Sequence, residues 1–535
     1  MVDLDSTASI SVLHADLLWR IFQENVVAPH RLFGIGWTHR PLITARQCSQ
    51  VCREWRSILL QSSSIWARAI DLDYLNQKGG EWRKEVLSRT GEALLWVYGR
   101  ASVNTMLTLA PFLEQNWGRV QRMEMFSVSE SYQNEPENRK EISWHFLEEP
   151  APNLQTFELY LSPDDFLPEW LFGDCAPLLR TFSVQGNHYV FDTMAPWLKN
   201  LSHVTICGCL AFGEVVGALE EMPSLVTLKI CCNETDLDVA GPVINLPQLK
   251  KLTLCFRSDM LNGVALLERI KPASDCCICI PGEPAEWSPA PEEEEYERYE
   301  DAISAHVLPY LKTHPPTVVY VVFTYDTLFL QEGSSASPDP EHLYPGFRIP
   351  FYVEFFGSSL LMQELIGSAS FSNVTELYLS RWGESPYYED VDVVSALRAF
   401  PSVTTLKTTD RVLGLLLENH SITATLFPAL VTLNTRDPEG FQPGKEEPAQ
   451  HRFLKLRKAV GRPVSVLELS FLFGNIPDMD YLEEHTGLLV KWSSRLNGDG
   501  EYRCGDGGQE VLRFHSNVWE DEEAGWKLFC AQYSL

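Results

Sequence analysis

The chain has 535 residues and a formal net charge of −29, an acidic excess that argues against nucleic acid or an anionic membrane as a general partner, because their phosphates would be repelled. Its apolar fraction of 45% and aromatic fraction of 11% fit a chain that buries a core. Residues 1–75 are balanced in charge, so the excess falls on the remainder, where solvated acidic faces are expected.

The N-terminal "MVDLDSTASISVL" has no basic stretch leading into an apolar one, and no uncharged apolar run reaches membrane-spanning length. Both observations predict a cytoplasmic or nuclear protein without membrane contact. Thirteen cysteines without a secretory leader predict reduced thiols, not a disulfide framework.

In "LHADLLWRIF", Leu13, Leu17, Leu18, Ile21 and Phe22 recur at helical spacing and predict a helix with one apolar stripe. In "QVCREWRSILLQSSSIWARAI", Val51, Cys52, Trp55, Ile58 and Leu59 repeat the period, the serine run breaks it, and Trp66 and Ile70 follow. A leucine-rich helix, a gap, then V-C-x-x-W-R and a serine run ending in I-W strongly resembles an F-box as it stands near the N-terminus of many fungal F-box proteins. The resemblance covers about residues 1–75 and, more loosely, the remainder. It implies an adaptor without catalytic residues or cofactor, docking on the Skp-type linker of a cullin ubiquitin ligase through Leu13, Leu17, Ile21, Val51, Trp55 and Trp66. Two departures stand out: His14 occupies a position where the family usually has proline, and the segment from Val26 to Pro41 is longer than the usual connection.

Residues 76–150 read as a connector and N-terminal cap. "NQKGGEWRKEVLSRTG" predicts a helix, Leu94 to Val97 a strand, "PFLEQNWGRV" a short helix and "QRMEMFSV" a second strand. A weak repeat then sets the expected architecture. "APNLQTFELY", "APLLRTFSV", "KNLSHVTI", "MPSLVTLKI" and "LPQLKKLTL" place Leu154, Leu179, Leu201, Leu225 and Leu249 at intervals of 25, 22, 24 and 24 residues, inside the leucine-rich repeat range. The pattern resumes in "FSNVTELYLS", "FPSVTTLKT" and "FPALVTLNT" with Val374, Val403 and Leu430, then in "RPVSVLELS" after the basic helix "FLKLRKAVGRP". Most units lack the Asn/Cys ladder position, so the repeats are degenerate. The expected fold class is α/β: an N-terminal helical F-box followed, over residues 151–535, by a degenerate leucine-rich-repeat solenoid with helices between its strands. An exposed acidic loop at about 280–302, a second loop after Gln331 and a C-terminal cap over 495–535 complete the expectation.

On each repeat strand, alternate residues face away from the core. That geometry nominates Thr156, Glu158, Tyr160, Lys229, Glu376 and Tyr378 as substrate-binding positions. Cys207, Cys209, Cys231, Cys232, Cys255, Cys276, Cys277 and Cys279 cluster in sequence, but C-x-C and C-C spacings are poor for zinc and predict buried thiols. The carboxylate pairs Asp164–Asp165 and Asp236/Asp238 lack any accompanying catalytic motif. No metal and no catalytic residue is expected. A repeat scaffold acting outside any ligase and a cysteine-bound metalloprotein remain the competing classes.

Overall fold

The computed structural model describes residues 13–26, 40–76, 80–128, 142, 144–162, 165–186, 189, 191–208, 212–232, 242–256, 260–281, 292–324, 327–333, 346–352, 358–367, 369–381, 391–436, 447–470, 478–494 and 498–514. Among these residues the protein is mixed α/β, with mostly parallel strands and no closed barrel. It divides into two compact units, the first ending at Leu249 and the second beginning at Lys250.

The first unit starts with four helices: α1 (Ala15–Asn25), α2 (Pro41–Cys48), α3 (Arg53–Gln61) and α4 (Ser63–Ala67). His14 caps α1 by accepting the Asp16 N–H at 3.4 Å through its ring, which sets the helix start. Leu18, Phe22, Val26, Ala45, Leu59 and Ile65 form the buried cluster these helices share, with Leu13, Trp19, Cys48, Trp55 and Ile58 packed around it. The longer connection noted in the sequence lies mostly outside the described residues.

Strand β1 (Ile70–Asp71), helices α5 (Leu72–Leu75) and α6 (Gly80–Arg89), strand β2 (Leu95–Ala101), helix α7 (Val103–Asn116) and strand β3 (Val120–Ser127) follow. The strand expected at 94–97 runs on to Ala101. The helix expected from Pro111 begins eight residues earlier at Val103, where the Ser102 hydroxyl accepts the Thr105 N–H at 3.2 Å and sets its start. Strands β4 (Thr156–Tyr160), β5 (Thr181–Gln185), β6 (His203–Gly208) and β7 (Thr227–Cys232) lie on the repeat phrases, and a short β8 (Ile244–Leu246) follows. From β1 to β7 each strand pairs in parallel with the next in the chain. The registers align Val97, Met123, Phe157, Phe182, Val204 and Leu228 into one buried row.

Helices between these strands are fewer than expected. Helix α8 (Phe212–Glu220) joins β6 to β7, but 3-10 turns at Phe172–Asp174 and Leu198–Asn200 occupy the two preceding connections. Aromatic rings fill the space instead: Phe172 meets Phe157 at 5.1 Å and Trp197 at 5.6 Å, and Trp197 meets Phe182 at 4.9 Å. Phe172 sits at φ 63, a region unfavourable for a bulky side chain. Its complete burial among these rings offsets that cost.

In the second unit come β9 (Lys251–Phe256), α9 (Met260–Arg269), β10 (Ile270–Pro272), β11 (Cys277–Cys279), α10 (Glu293–Thr313), β12 (Val318–Phe323), β13 (Thr327–Glu332) and β14 (Arg348–Tyr352). They are followed by α11 (Leu360–Gly367), β15 (Glu376–Arg381), α12 (Val391–Ala396), β16 (Thr405–Thr409), α13 (Asp410–Glu418), α14 (His420–Thr423) and β17 (Thr432–Arg436). Helix α15 (Ala449–Ala459), β18 (Val466–Ser470), β19 (Leu489–Ser494) and β20 (Gly498–Arg503) complete the described elements. Strands β12, β15, β16, β17, β18 and β19 are parallel neighbours in that order. On the other side of β12, the antiparallel β13 and β14 lead to β11 and β9. The antiparallel β13 and β14 thus interrupt the parallel order of the second unit's strands.

One further expectation changes. The acidic segment at 280–302 is not all loop: residues 282–291 lie outside the described residues, but Glu293 opens α10, a helix of 21 residues. Glu292 and Glu295 make a capping box, and the glutamates of the first turn face the positive end of the helix dipole. Behind them Tyr296, Tyr299, Ile303 and Val307 are buried at helical spacing. In the C-terminal stretch, "GDGEYR" forms β20 in an antiparallel hairpin with β19, and "QEVL" is a 3-10 turn. Most of the loop after Gln331 and the chain beyond Phe514 are outside the described residues.

Candidate functional site

The helical module splits its apolar residues between two faces. Leu18 and Phe22, four apart on α1, point into the module, while Leu17 and Ile21 on the adjacent stripe are 49% and 41% exposed. Val51, just before α3, is 61% exposed. Leu13 and Trp55 are half-buried, with Trp55 edge-on to Phe22 at 4.8 Å. Trp66 is a correction to the expected docking set. It is fully buried, and its indole N–H donates to the Leu59 carbonyl at 2.7 Å, so it holds the module together from inside and offers no surface.

On the first unit's sheet, Thr156, Glu158, Tyr160 and Lys229 do share the face opposite the buried rows. Glu158 and Lys229 stand in one register row, Tyr98–Glu124–Glu158–Ser183–Thr205–Lys229. Three strand spacings separate them, roughly 14 Å, too far for a direct ion pair. Tyr160 stacks on Phe126 at 5.8 Å and accepts a hydrogen bond from the Gln185 amide at 2.6 Å. The neighbouring row brings Arg122, Thr156, Thr181, His203 and Thr227 together, with Arg122 paired to the buried Glu124. His203 is exposed beside the Thr227 hydroxyl, 2.8 Å away.

Burial and the Glu124 charge push the Glu158 carboxyl up to about 7, with Arg122 pulling the other way. The folded protein thus holds this proton more tightly than the unfolded chain. That stabilisation is complete below the ordinary value of 4.5 and is lost as pH rises through about 7. Glu158→Gln is therefore expected to raise stability at pH 8 by about 1–2 kcal/mol, after allowance for water around a half-buried group. Urea unfolding at pH 5 and pH 8 checks this: the stability lost between the two pH values shrinks in the variant.

In the second unit Glu376 and Tyr378 are already engaged. Lys407, in register with Tyr378 on the next strand, pairs with Glu376, donates to the Tyr378 hydroxyl and lies 4.5 Å from that ring's centroid. Tyr320 stacks on Tyr378 at 4.1 Å. The row continues through Asn434, Glu468 and Lys491, with the Asn434 amide donating to Glu468 at 3.1 Å. This face offers alternating charges, amides and aromatic rings held by their cross-strand neighbours, an arrangement suited to recognising a polar surface. Lys407 and Asn434 were not nominated from the sequence, yet each falls four residues after its phrase's leading apolar residue, as Glu158, Lys229 and Tyr378 do.

Asp165 is buried, accepting from the Ser162 N–H at 3.0 Å and from the Ser127 hydroxyl. It ties a loop to the end of β3. Asp164, Asp236 and Asp238 lie outside the described residues. Cys276, Cys277 and Cys279 are buried, and burial pushes the thiols of Cys276 and Cys279 up to about 12, which makes them poor thiolate ligands. Among the described residues the histidine, cysteine and carboxylate groups close enough to share an ion are His451, Glu484 and His485, with no cysteine among them. No helix among the described residues is long and apolar enough to cross a membrane. No family model matches the chain, and no curated protein matches it.

Proposed function

We propose that this chain is a substrate-recognition adaptor of an SCF-like cullin ubiquitin ligase, with an F-box at its N-terminus and a degenerate leucine-rich-repeat body. The observation carrying the proposal is the two-sided helical module: a filled interior around Leu18, Phe22 and Leu59, and Leu17, Ile21 and Val51 left exposed outside it. Exposed apolar side chains on a small folded module favour a protein partner. The consecutive parallel strands, one for each repeat phrase, support the second half of the reading. The module anchors the chain to the Skp-type linker, and the polar strand faces hold a protein substrate near a charged conjugating enzyme. Catalysis is then proximity, a rise in effective concentration of the substrate's lysines, with no chemistry performed by this chain.

Co-purification with the Skp-type linker and cullin tests the proposal. Leu17→Asp/Val51→Asp is the informative variant, since both positions are exposed and the module's interior is left intact. Capture of the linker by the wild type and at least a tenfold loss in the variant is the expected result. A folded wild type that captures neither protein sinks the ligase reading and leaves a repeat scaffold with another partner.

A further inference from the structure

His451 lies on the buried side of α15, and Glu484 and His485 come from the 3-10 turn Asp480–Glu484 and the residue after it. The two histidines are 4% and 7% exposed. His451 Nδ1 and His485 Nε2 approach to 3.1 Å, His451 Nε2 lies 3.1 Å from Glu484 Oε1, and Glu484 Oε1 is 3.8 Å from His485 Nε2. One ligand atom from each residue can be chosen so that all three lie within 4.8 Å of one another. As a hydrogen-bonded chain, the cluster has one consistent protonation: His485 donates from Nε2 to His451 Nδ1, and His451 donates from Nε2 to Glu484.

We propose that this cluster is a divalent metal site that takes Zn²⁺ through His451, His485 and Glu484. Two nitrogens bound to one tetrahedral zinc stand roughly 3.3 Å apart, given Zn–N bonds of about 2.0–2.1 Å. The histidine nitrogens are already close to that spacing. Glu484 is half exposed, so its carboxylate is able to swing from His451 Nε2 toward the ion while the buried rings stay in place. Two histidines and a glutamate form a donor set that leaves a fourth zinc position for water or a ligand.

Glu484 and His485 also line an open pocket of about 460 Å³ together with Lys455, Lys458 and Ala459. An anionic oxygen ligand fits beside the lysines. Lys455 also lies 3.4 Å from Glu484 Oε1 and 3.0 Å from Glu447, so it competes with the ion for the Glu484 carboxylate. The arrangement therefore favours a site whose affinity rises when Lys455 is removed.

Calorimetric titration of Zn²⁺ into the chelator-treated full chain tests this, with Co²⁺ absorption as a second readout. The expected result is one tight Zn²⁺ per chain and a visible Co²⁺ band without thiolate charge transfer. His451→Gln/His485→Gln is expected to weaken binding at least a hundredfold and Glu484→Gln about tenfold, whereas Lys455→Met tightens it several-fold. Glu484 and Lys455 are partly exposed, so those variants report on the site even if the histidine pair proves necessary for folding. A wild type that takes up no zinc overturns the proposal. So does wild-type affinity in the folded double variant, or a thiolate band from Co²⁺, either of which would place the metal elsewhere.

Discussion

Trp66→Ala is expected to destabilise the N-terminal module by about 4 kcal/mol, in the range for deleting a large buried aromatic side chain. The indole is completely buried, and it meets Trp82 edge-on at 6.3 Å while Arg89 covers its ring at 4.8 Å. Its N–H also donates to the Leu59 carbonyl near the end of α3, which keeps the Ser62 N–H at 3.2 Å but loses this second donor when the ring is removed. Trp66→Phe keeps most of the volume and loses the hydrogen bond, so roughly 1–2 kcal/mol is expected from it. Denaturant unfolding followed by helical circular dichroism, with limited proteolysis of the first 75 residues, separates the two variants. A Trp66→Ala protein as resistant as the wild type would contradict the buried placement and return Trp66 to the surface.

Asp410→Ala is the second large effect, about 2–4 kcal/mol. The N-cap of helix α15 is Pro448, whose side chain cannot cap it. Asp410, at the start of α13 and 5% exposed, accepts the Gln450 N–H at 2.7 Å and the Ala449 N–H at 3.2 Å, capping α15 from a different helix. Alanine strands both donors away from water, at about 1–3 kcal/mol each. Asn keeps one acceptor and is expected to recover about half. Hydrogen exchange along α15 checks the mechanism: the loss of protection begins at Ala449 and spreads to His451, loosening one wall of the proposed zinc site. Unchanged exchange there would show that the cap contributes little. Glu300 plays the same part for α11, accepting the Leu360 N–H at 3.0 Å and the Ser359 hydroxyl.

The strands could be read from the sequence because each repeat phrase carries a local alternation that burial enforces. Leu154, Leu179, Leu201, Leu225 and Val374, Val403 are all completely buried, and a strand begins two residues after each. The outward positions could be read for the same reason, since a period of two fixes the face. What alternation cannot supply is contact between segments far apart in the chain. His451 and His485 are 34 residues apart and resemble scattered histidines until α15 and the following turn bring them together. Trp66 fits a surface motif and an interior knob equally well by spacing alone. The glutamate run at 292–295 reads as solvated loop by charge, and only the tyrosines behind it, at 296 and 299, mark the start of a helix.

The hairpin of β19 and β20 ends the parallel run of the second unit's sheet on a strand reading "GDGEYR". Parallel strands stacked in sequence leave an unpaired edge that another chain can extend, and a flat apolar edge is an aggregation site. Here the terminal strand runs antiparallel, carries Asp499, Glu501 and Arg503 and includes two glycines. A second copy pairing with it in parallel register would place like charges opposite each other, and its two glycines are residues of low strand propensity. Among the described residues, this end of the sheet thus carries charges and glycines that oppose edge-on growth.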